Sequence, residues 1–253
     1  MKQGFTELTD SQWQYIEKIL DDKRKRKHSL RTILNAIFWL NHSGAQWRML
    51  DSKYPPYQTV FYHFTQFKRR GIWEQLMDAL VVDERKKAGK SASPDLLAVD
   101  SQAVKTVPFV GEETGIDGGK KINGRKRTIF VDESGLAFAI LVRAANISDN
   151  QAGILAAEYL RGKVEKLKKI AADRGYKNAF CDHMKSEFGC ETEIAQRPES
   201  AQGFIPEPDR WQVERSFGWL NFRRRMFREV EKTIESAEAM LQIAFISFSI
   251  NKL

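Results

Sequence analysis

The pattern of apolar residues changes at a short linker, KSASP, at residues 90–94. Before the linker, apolar residues recur at helical spacing, as in residues 57–71, where YQTVFYHFTQFKRRG predicts an amphipathic helix. After the linker, short apolar runs alternate with turn signals and helical segments. The predicted order there is β-β-β-α-β-α-β-α, with a hairpin at residues 133–135 and βα crossovers later. This order is typical of a mixed α/β sheet flanked by helices.

The linker is also the predicted boundary between two domains. Residues 1–94 carry 17 Lys+Arg against 10 Asp+Glu, whereas residues 95–253 carry 24 against 23. A small helical bundle with surplus positive charge suits helix-turn-helix DNA binding, although most helical bundles bind no DNA. The helix at residues 57–70 is the candidate nearest to DNA, because it ends in three basic residues, Lys68, Arg69 and Arg70.

Composition excludes several classes of protein. The chain has no apolar run of about 18 residues, so no membrane-spanning helix is expected, and its first residues lack the apolar core of a signal peptide. The two cysteines, Cys181 and Cys190, fit no common zinc spacing, and only four histidines accompany them. We therefore expect free thiols in a reducing cytoplasm.

Two basic tracts indicate a polyanionic partner. Residues 118–127 contain five basic residues and no acid, and residues 210–228 contain six arginines and one acid, Glu214. Such tracts favour nucleic acid, with an ordinary solvated surface as the alternative.

Two apolar runs, DLLAVD and KLKKIAAD, each close on an aspartate, Asp100 and Asp173. In open α/β sheets, ligands bind beyond the carboxyl ends of the strands. A helix cap or a turn is the structural alternative for each aspartate.

Glu214 lies in a narrow polar stripe if residues 210–228 form one helix. The other members of that stripe are Arg210, Gly218, Asn221, Arg225 and Arg228. A structural ion pair between Arg210 and Glu214 is the alternative interpretation. Carboxylates from two strand ends and a helix can converge on Mg²⁺, and a pair of such ions ~4 Å apart supports phosphoryl transfer.

Several ordered segments together resemble the DDE transposases of bacterial insertion sequences, most of all the insertion-sequence-five group. The spacings between the acids also match, with 73 residues from Asp100 to Asp173 (173 − 100) and 41 from Asp173 to Glu214 (214 − 173). The resemblance covers nearly the whole chain. Its main segments are LLAVDSQAVKT, GIDGGKKINGRKR, VDESGLAFAILVRAANISDN, IAADRGY and RWQVERSFGWLNFRRRM.

The resemblance implies a ribonuclease-H-like catalytic domain at residues 95–253. It assigns catalysis and the binding of two Mg²⁺ ions, or Mn²⁺ as a substitute, to Asp100, Asp173 and Glu214, with Asp100 shared by both ions. An activated water would cleave double-stranded DNA at the terminal inverted repeats, and the freed 3′-hydroxyl would attack target DNA. A homodimer on DNA and association with the nucleoid are further implications.

Related transposases carry a Tyr-x2-Arg-x3-Glu-x6-Lys signature, of which Arg210 and Glu214 match the central part. Glu207 and Asn221 stand where the signature has tyrosine and lysine. Trp211 and Trp219 are expected in the core, with stacking on an unpaired base as the alternative. The residues predicted to contact DNA are all basic, and they are Lys68, Arg69, Arg70, Lys120, Lys121, Arg125, Lys126, Arg127, Arg210, Arg215, Arg224, Arg225 and Arg228.

Two alternatives to a transposase stay open. One is a ribonuclease-H-like nuclease or resolvase that cuts without strand transfer. The other is a repurposed DNA-binding protein without catalysis, against which the presence of all three acids counts.

Overall fold

The computed structural model describes residues 4–22, 24–195 and 210–252. Within these ranges the helices are α1 (Asp10–Leu20), α2 (Leu30–Ser43), α3 (Tyr57–Arg69), α4 (Ile72–Lys87), α5 (Asp149–Ala157), α6 (Ala179–Phe188), α7 (Trp211–Leu220) and α8 (Ile234–Ile250). The strands are β1 (Leu96–Lys105), β2 (Gly115–Asp117), β3 (Ile122–Val131), β4 (Ala137–Ala144), β5 (Lys169–Ala172) and β6 (Glu191–Ile194). Glu207, which occupies the position of the tyrosine in the Tyr-x2-Arg-x3-Glu-x6-Lys signature, lies outside the described residues.

The N-terminal helices begin and end at residues suited to those positions. The Thr9 side chain accepts a hydrogen bond from the backbone N–H of Gln12, and the Gln12 side chain accepts one from the backbone N–H of Thr9, which completes a capping box for α1. Ser29 caps α2, and Gly44 ends it in the left-handed conformation that glycine adopts without strain.

The sheet is mixed, as the sequence predicts. β3, β1, β5 and β6 are neighbours in that order, and along its other edge β3 pairs with β4 and, nearer its start, with β2. The β1–β3 and β3–β4 pairs are antiparallel, whereas β1, β5 and β6 run parallel to one another. The parallel pairs are joined through α5 and α6, which confirms the predicted βα crossovers.

Each face of the sheet packs into its own hydrophobic core, because side chains alternate along a strand. Leu97 and Val99 of β1 face a core that includes α5 and α6. Ala98 faces a second core, to which α7, α8 and the N-terminal helices contribute. The helical region therefore shares a core with the sheet, mainly through α8, which contacts α2, α3, α4 and β4. The domain boundary at residue 94 stays a prediction.

Two elements differ from their predicted extents. β1 continues for five residues beyond Asp100, so this aspartate lies within a strand and not at its end. The helix predicted at residues 210–228 stops at Leu220, and a 3₁₀ turn follows at Arg224–Met226. The turn is held by tertiary contacts, since the Arg225 side chain points inward, donates a 2.7 Å hydrogen bond to Glu231 and stacks on Trp47. Arg225 and Arg228 therefore do not continue the polar stripe of Glu214.

Candidate active site

The register of β1 and β5 places Asp100 beside Asp173. Ala98 pairs with Ala171, an offset of 73 residues (171 − 98), and the same offset separates the two aspartates (173 − 100). The aspartates lie two residues beyond the paired alanines, and Asp173 is near enough for its charge to raise the pKa of Asp100. Asp100 shares the face of the sheet on which Ala98 lies, because side chains alternate along β1. This is the face that α7 covers, and α7 carries Glu214.

The carboxylate of Asp100 is mostly buried and carries little compensating charge. It accepts one 2.7 Å hydrogen bond, from the backbone N–H of Ser101. Burial raises the pKa of Asp100 to about 6, and the charge of Asp173 adds to the rise, while the Ser101 hydrogen bond, Arg210 and Lys120 oppose it. A further cation next to Asp100 would therefore stabilise its charged form.

Asp173 begins a tight turn directly after β5. Its Oδ1 accepts a 2.8 Å hydrogen bond from the backbone N–H of Gly175. A Cβ atom on Gly175 would lie 2.9 Å from both the Asp173 Oδ1 and the Asp149 Oδ2. Two carboxylates therefore approach the backbone closely at Gly175, and Asp149 lies next to the turn that carries Asp173.

Glu214 lies on the exposed side of α7, with 40% of its side chain accessible. Its Oε1 accepts a 2.9 Å hydrogen bond from Nη2 of Arg210, so the ion pair that the sequence allowed is formed. Arg210 also lowers the pKa of Asp100, which places one guanidinium within the electrostatic reach of both carboxylates. One turn further along α7, a Cβ atom on Gly218 would meet no described atom within 4 Å, which leaves the helix surface open.

The donor set of the two aspartates fits a hard divalent cation. Carboxylate oxygens are the ligands that Mg²⁺ prefers, and buried, poorly compensated Asp100 provides the electrostatic reason for a cation to bind. Glu214 is not part of that set in the structure, where its carboxylate pairs with Arg210. Accordingly, the described residues contain no group of three histidine, cysteine, aspartate or glutamate side chains that could hold a metal ion.

Comparison with known families agrees with this geometry. A family model described as "Transposase DDE domain" matches residues 91–249, which is more than half of the chain. The chain belongs to the DDE transposases. A second model, described as "Putative transposase of IS4/5 family", matches residues 8–77 and so assigns the transposase to the IS4/5 type.

The transposase is also similar to an uncharacterized protein, y4sN, of Sinorhizobium fredii. The two are 26% identical over 102 residues, which are 39% of this chain and 75% of the relative. Family membership and the mixed sheet together confirm the predicted ribonuclease-H-like fold. The two family matches also support a DNA transposase function. None of the helices within the described ranges has the length and apolar character needed to cross a bilayer.

Some basic residues predicted to contact DNA are accessible at the surface. Lys120 extends toward the site, since its Nζ lies 3.4 Å from the carbonyl oxygen of Ser101. The other exposed members of this set are Lys121, Arg69, Arg70, Arg224 and Arg228.

Four other residues of the predicted DNA-contact set are buried, so the sequence-based expectation of an exposed basic surface is wrong for them. Arg125 donates to backbone carbonyls that include those of Glu112 and Glu231. Arg127 donates to Glu229 and to the Met226 carbonyl. The remaining two form ion pairs, Lys126 with the half-buried Asp149 and Arg225 with the buried Glu231.

Three further basic residues have specific intramolecular partners. Lys68 donates a 2.9 Å hydrogen bond to Ser236 at the start of α8. Arg215 lies between the rings of Trp211 and Trp219, 4.2 and 4.8 Å from their centroids, so both tryptophans are already stacked on a guanidinium. Arg210, the third, is the partner of Glu214.

Sequence reasoning missed Tyr176, which is fully buried in the core that includes α5 and α6, three residues after Asp173. Its hydroxyl lies 2.6 Å from the Ser101 Oγ. Burial raises the pKa of Tyr176 well above its ordinary value, and the charge of Asp100 adds to the rise, so the phenol stays protonated. The signal in the sequence was its place three residues after Asp173, in the segment DRGY.

Proposed function

We propose that the transposase cleaves the ends of its own insertion sequence and joins the freed 3′-hydroxyl to target DNA. The observation that carries the proposal is the proximity of Asp100 and Asp173, which follow the parallel-paired segments of β1 and β5 and interact electrostatically. The bound DNA would comprise the terminal inverted repeats and the target duplex. Because that target is chromosomal, we expect the protein at the nucleoid.

In this proposal Asp100, Asp173 and Glu214 hold two Mg²⁺ ions, for which Mn²⁺ can substitute. When bound, such ions activate a nucleophilic oxygen and stabilise the charge that develops on the leaving oxygen. The chain itself supplies the positions of the carboxylates. β1 and the turn after β5 carry the two aspartates, and in this proposal Glu214 joins them from α7.

Arg210 has two roles in the proposal. In the structure it neutralises Glu214 and lowers the pKa of Asp100. Glu214 must release Arg210 to join the aspartates, and the freed guanidinium then faces the site, where it can bind a phosphate oxygen of DNA. Lys120 lies on the same side and would contact the adjoining backbone.

Strand cleavage by the purified chain tests the proposal. The substrate is a duplex that carries the terminal inverted repeats flanking the reading frame, in Mg²⁺ or Mn²⁺. We expect nicking at the repeat ends by the wild type and none by Asp173→Asn. The matched control is Asp182→Asn, which changes an exposed acid on α6 and should cut as the wild type does. Normal cutting by Asp173→Asn would refute the assignment.

A strand-transfer assay with pre-cleaved ends separates transposition from simple nuclease activity. Joined products are expected with the wild type. A protein that nicks but never joins would be the nuclease or resolvase, and one that binds the ends without cutting would be the repurposed DNA-binding protein. Light scattering on the DNA-bound protein would test the proposed homodimer, which should hold two chains.

A further inference from the structure

Strand pairing alone does not set the distance between Asp100 and Asp173. The β1–β5 ladder ends where Ala98 pairs with Ala171, two residues before the aspartates, and β5 itself ends at Ala172. Metal-supported phosphoryl transfer requires carboxylates at a fixed separation. Some contact beyond the ladder must therefore hold the turn after β5 against β1.

A buried chain of three hydroxyl groups spans this position. The Tyr176 hydroxyl lies 2.6 Å from the Ser101 Oγ, and the Ser101 Oγ lies 2.7 Å from the Thr128 Oγ1. Ser101 and Thr128 are also direct cross-strand partners in the β1–β3 ladder. The chain thus connects the residue after Asp100 with the turn after β5, and it anchors both to the centre of the sheet.

Tyr176 is itself held at both ends. Its backbone N–H donates a 3.1 Å hydrogen bond to the carbonyl oxygen of Asp173, which closes the turn. Its ring packs on Phe180, with the ring centroids 5.2 Å apart. A Cβ atom on Gly153 of α5 would lie 2.8 Å from the Tyr176 Cε1, so the helix accommodates the ring only because residue 153 is glycine.

We propose that Tyr176 is a positioning residue, whose hydroxyl fixes the spacing of Asp100 and Asp173 through Ser101. The inference rests on the proposed function, in which the two aspartates share divalent cations. Tyr176 lies in the core on the opposite face of the sheet from the Asp100 side chain, so it would act on the carboxylates through the backbone and not by contact with substrate or metal.

The first test is Tyr176→Phe, which keeps the packed ring and removes the hydroxyl. Mn²⁺ binding to the full chain is measured by titration calorimetry. We expect the Mn²⁺ dissociation constant to rise about ten-fold, as is usual when a residue that orients a metal ligand is changed. Unchanged Mn²⁺ affinity would overturn the proposal.

A double-mutant cycle tests the route of the effect. Ser101→Ala should weaken Mn²⁺ binding about as much as Tyr176→Phe, since each removes the same hydroxyl contact. The Ser101→Ala/Tyr176→Phe double variant should then be no weaker than either single variant. If the Mn²⁺ dissociation constant of the double variant instead rose by the product of the two single effects, about a hundred-fold, Tyr176 would not act through Ser101. That result would overturn the proposal.

Tyr15→Phe is the matched control. The Tyr15 hydroxyl donates a 2.8 Å hydrogen bond to Asp83, away from the site, so this variant also loses a partly buried tyrosine hydroxyl contact. We expect lower thermal stability in both tyrosine variants and weaker Mn²⁺ binding in Tyr176→Phe alone. An equal loss of Mn²⁺ affinity in Tyr176→Phe and Tyr15→Phe would show that Tyr176 has only a general structural role, and it would overturn the proposal.

Hydrogen exchange separates failure of this inference from failure of the proposed function. If the wild type binds no Mn²⁺, the metal-dependent function fails. The link between the Tyr176 and Ser101 hydroxyl groups can still be measured in that case. Tyr176→Phe should speed exchange of the Gly175 and Tyr176 amides about five-fold, the equivalent of one lost hydrogen bond. Tyr15→Phe should leave those amides unchanged. No acceleration in Tyr176→Phe would overturn the positioning role.

Discussion

Asp100 and Arg127 lie on the same face of the sheet, in adjacent strands, yet the surrounding charges compensate the two side chains to different degrees. Asp100 pairs with Ile129 in the ladder, and Arg127 pairs with the neighbouring Gln102. Arg127 is almost fully buried against an oppositely charged partner, Glu229, 3.1 Å away. Asp100 is mostly buried next to a like charge, with cations that only partly offset its desolvation. The charge of Arg127 is compensated within the fold, whereas that of Asp100 is poorly compensated, as expected of a carboxylate that binds the proposed cation.

Removing the compensated charge should have the largest effect on stability. Arg127→Ala would leave Glu229, which is 2% exposed, as an unpaired buried charge. We expect the free energy of unfolding, measured with urea, to fall by about 3–5 kcal/mol. Lys121→Ala alters the exposed part of the same basic tract and should change stability by less than about 0.5 kcal/mol. Equal effects of the two substitutions would refute the contrast.

Removing the poorly compensated charge of Asp100 should change the free energy of unfolding in the opposite direction. Asp100→Asn keeps the shape of the side chain and removes the cost of desolvating a carboxylate. We expect the free energy of unfolding to rise by on the order of 1–3 kcal/mol at pH 7, while DNA cleavage is lost. Asp182→Asn, which alters an exposed acid, should change neither. A loss of stability in Asp100→Asn would show that the carboxylate is structural.

The pH dependence of stability tests whether the charge of Asp100 is poorly compensated. Because the folded pKa of Asp100 is about 6, against an ordinary value of 3.8, the folded state binds more protons between these values. The contribution of Asp100 to stability therefore declines as pH rises from about 4 to about 6 and is constant above that range. The stability difference between Asp100→Asn and the wild type should grow over that interval and then level off. Added Mn²⁺ should reduce the difference at pH 7, because it would stabilise only the wild type.

The smallest effect concerns the open surface of α7. Gly218→Ala should raise the free energy of unfolding by about 0.5–1 kcal/mol, since alanine favours a helix and a Cβ atom there meets no described neighbour within 4 Å. If DNA or the rearranged Glu214 passes close to Gly218, cleavage should slow despite the added stability. Faster or unchanged cleavage would show that this surface stays clear of the substrate.

The sequence was most informative where chemistry and strand pattern coincide. Asp100 and Asp173 each follow an apolar run, and that pattern indicated two acids at strand ends, while the family resemblance supplied their joint role. The sequence did not show that β1 continues past Asp100, because the pairing of its second half depends on β3, which is distant in the chain.

The basic tracts show why other predictions failed. Lys121 and Arg127 belong to one tract, but Arg127 lies in a strand covered on both faces, and its partner Glu229 comes 102 residues later. Similarly, the inward turn of Arg225 depends on Glu231 and on Trp47 of the N-terminal region. Ion pairs of this kind are decided by tertiary packing, which neither residue type nor local periodicity encodes.

The position of α8 has a consequence for how the protein is made. α8 lies in the core shared by the N-terminal helices and the sheet, and it is the last of the described elements to leave the ribosome. The apolar surfaces of helices α2, α3 and α4 are therefore fully covered only after the whole sheet and α8 have been synthesised. N-terminal segments of many proteins fold early as independent units. Here the region matched to IS4/5 transposases should complete its folding only together with the catalytic sheet.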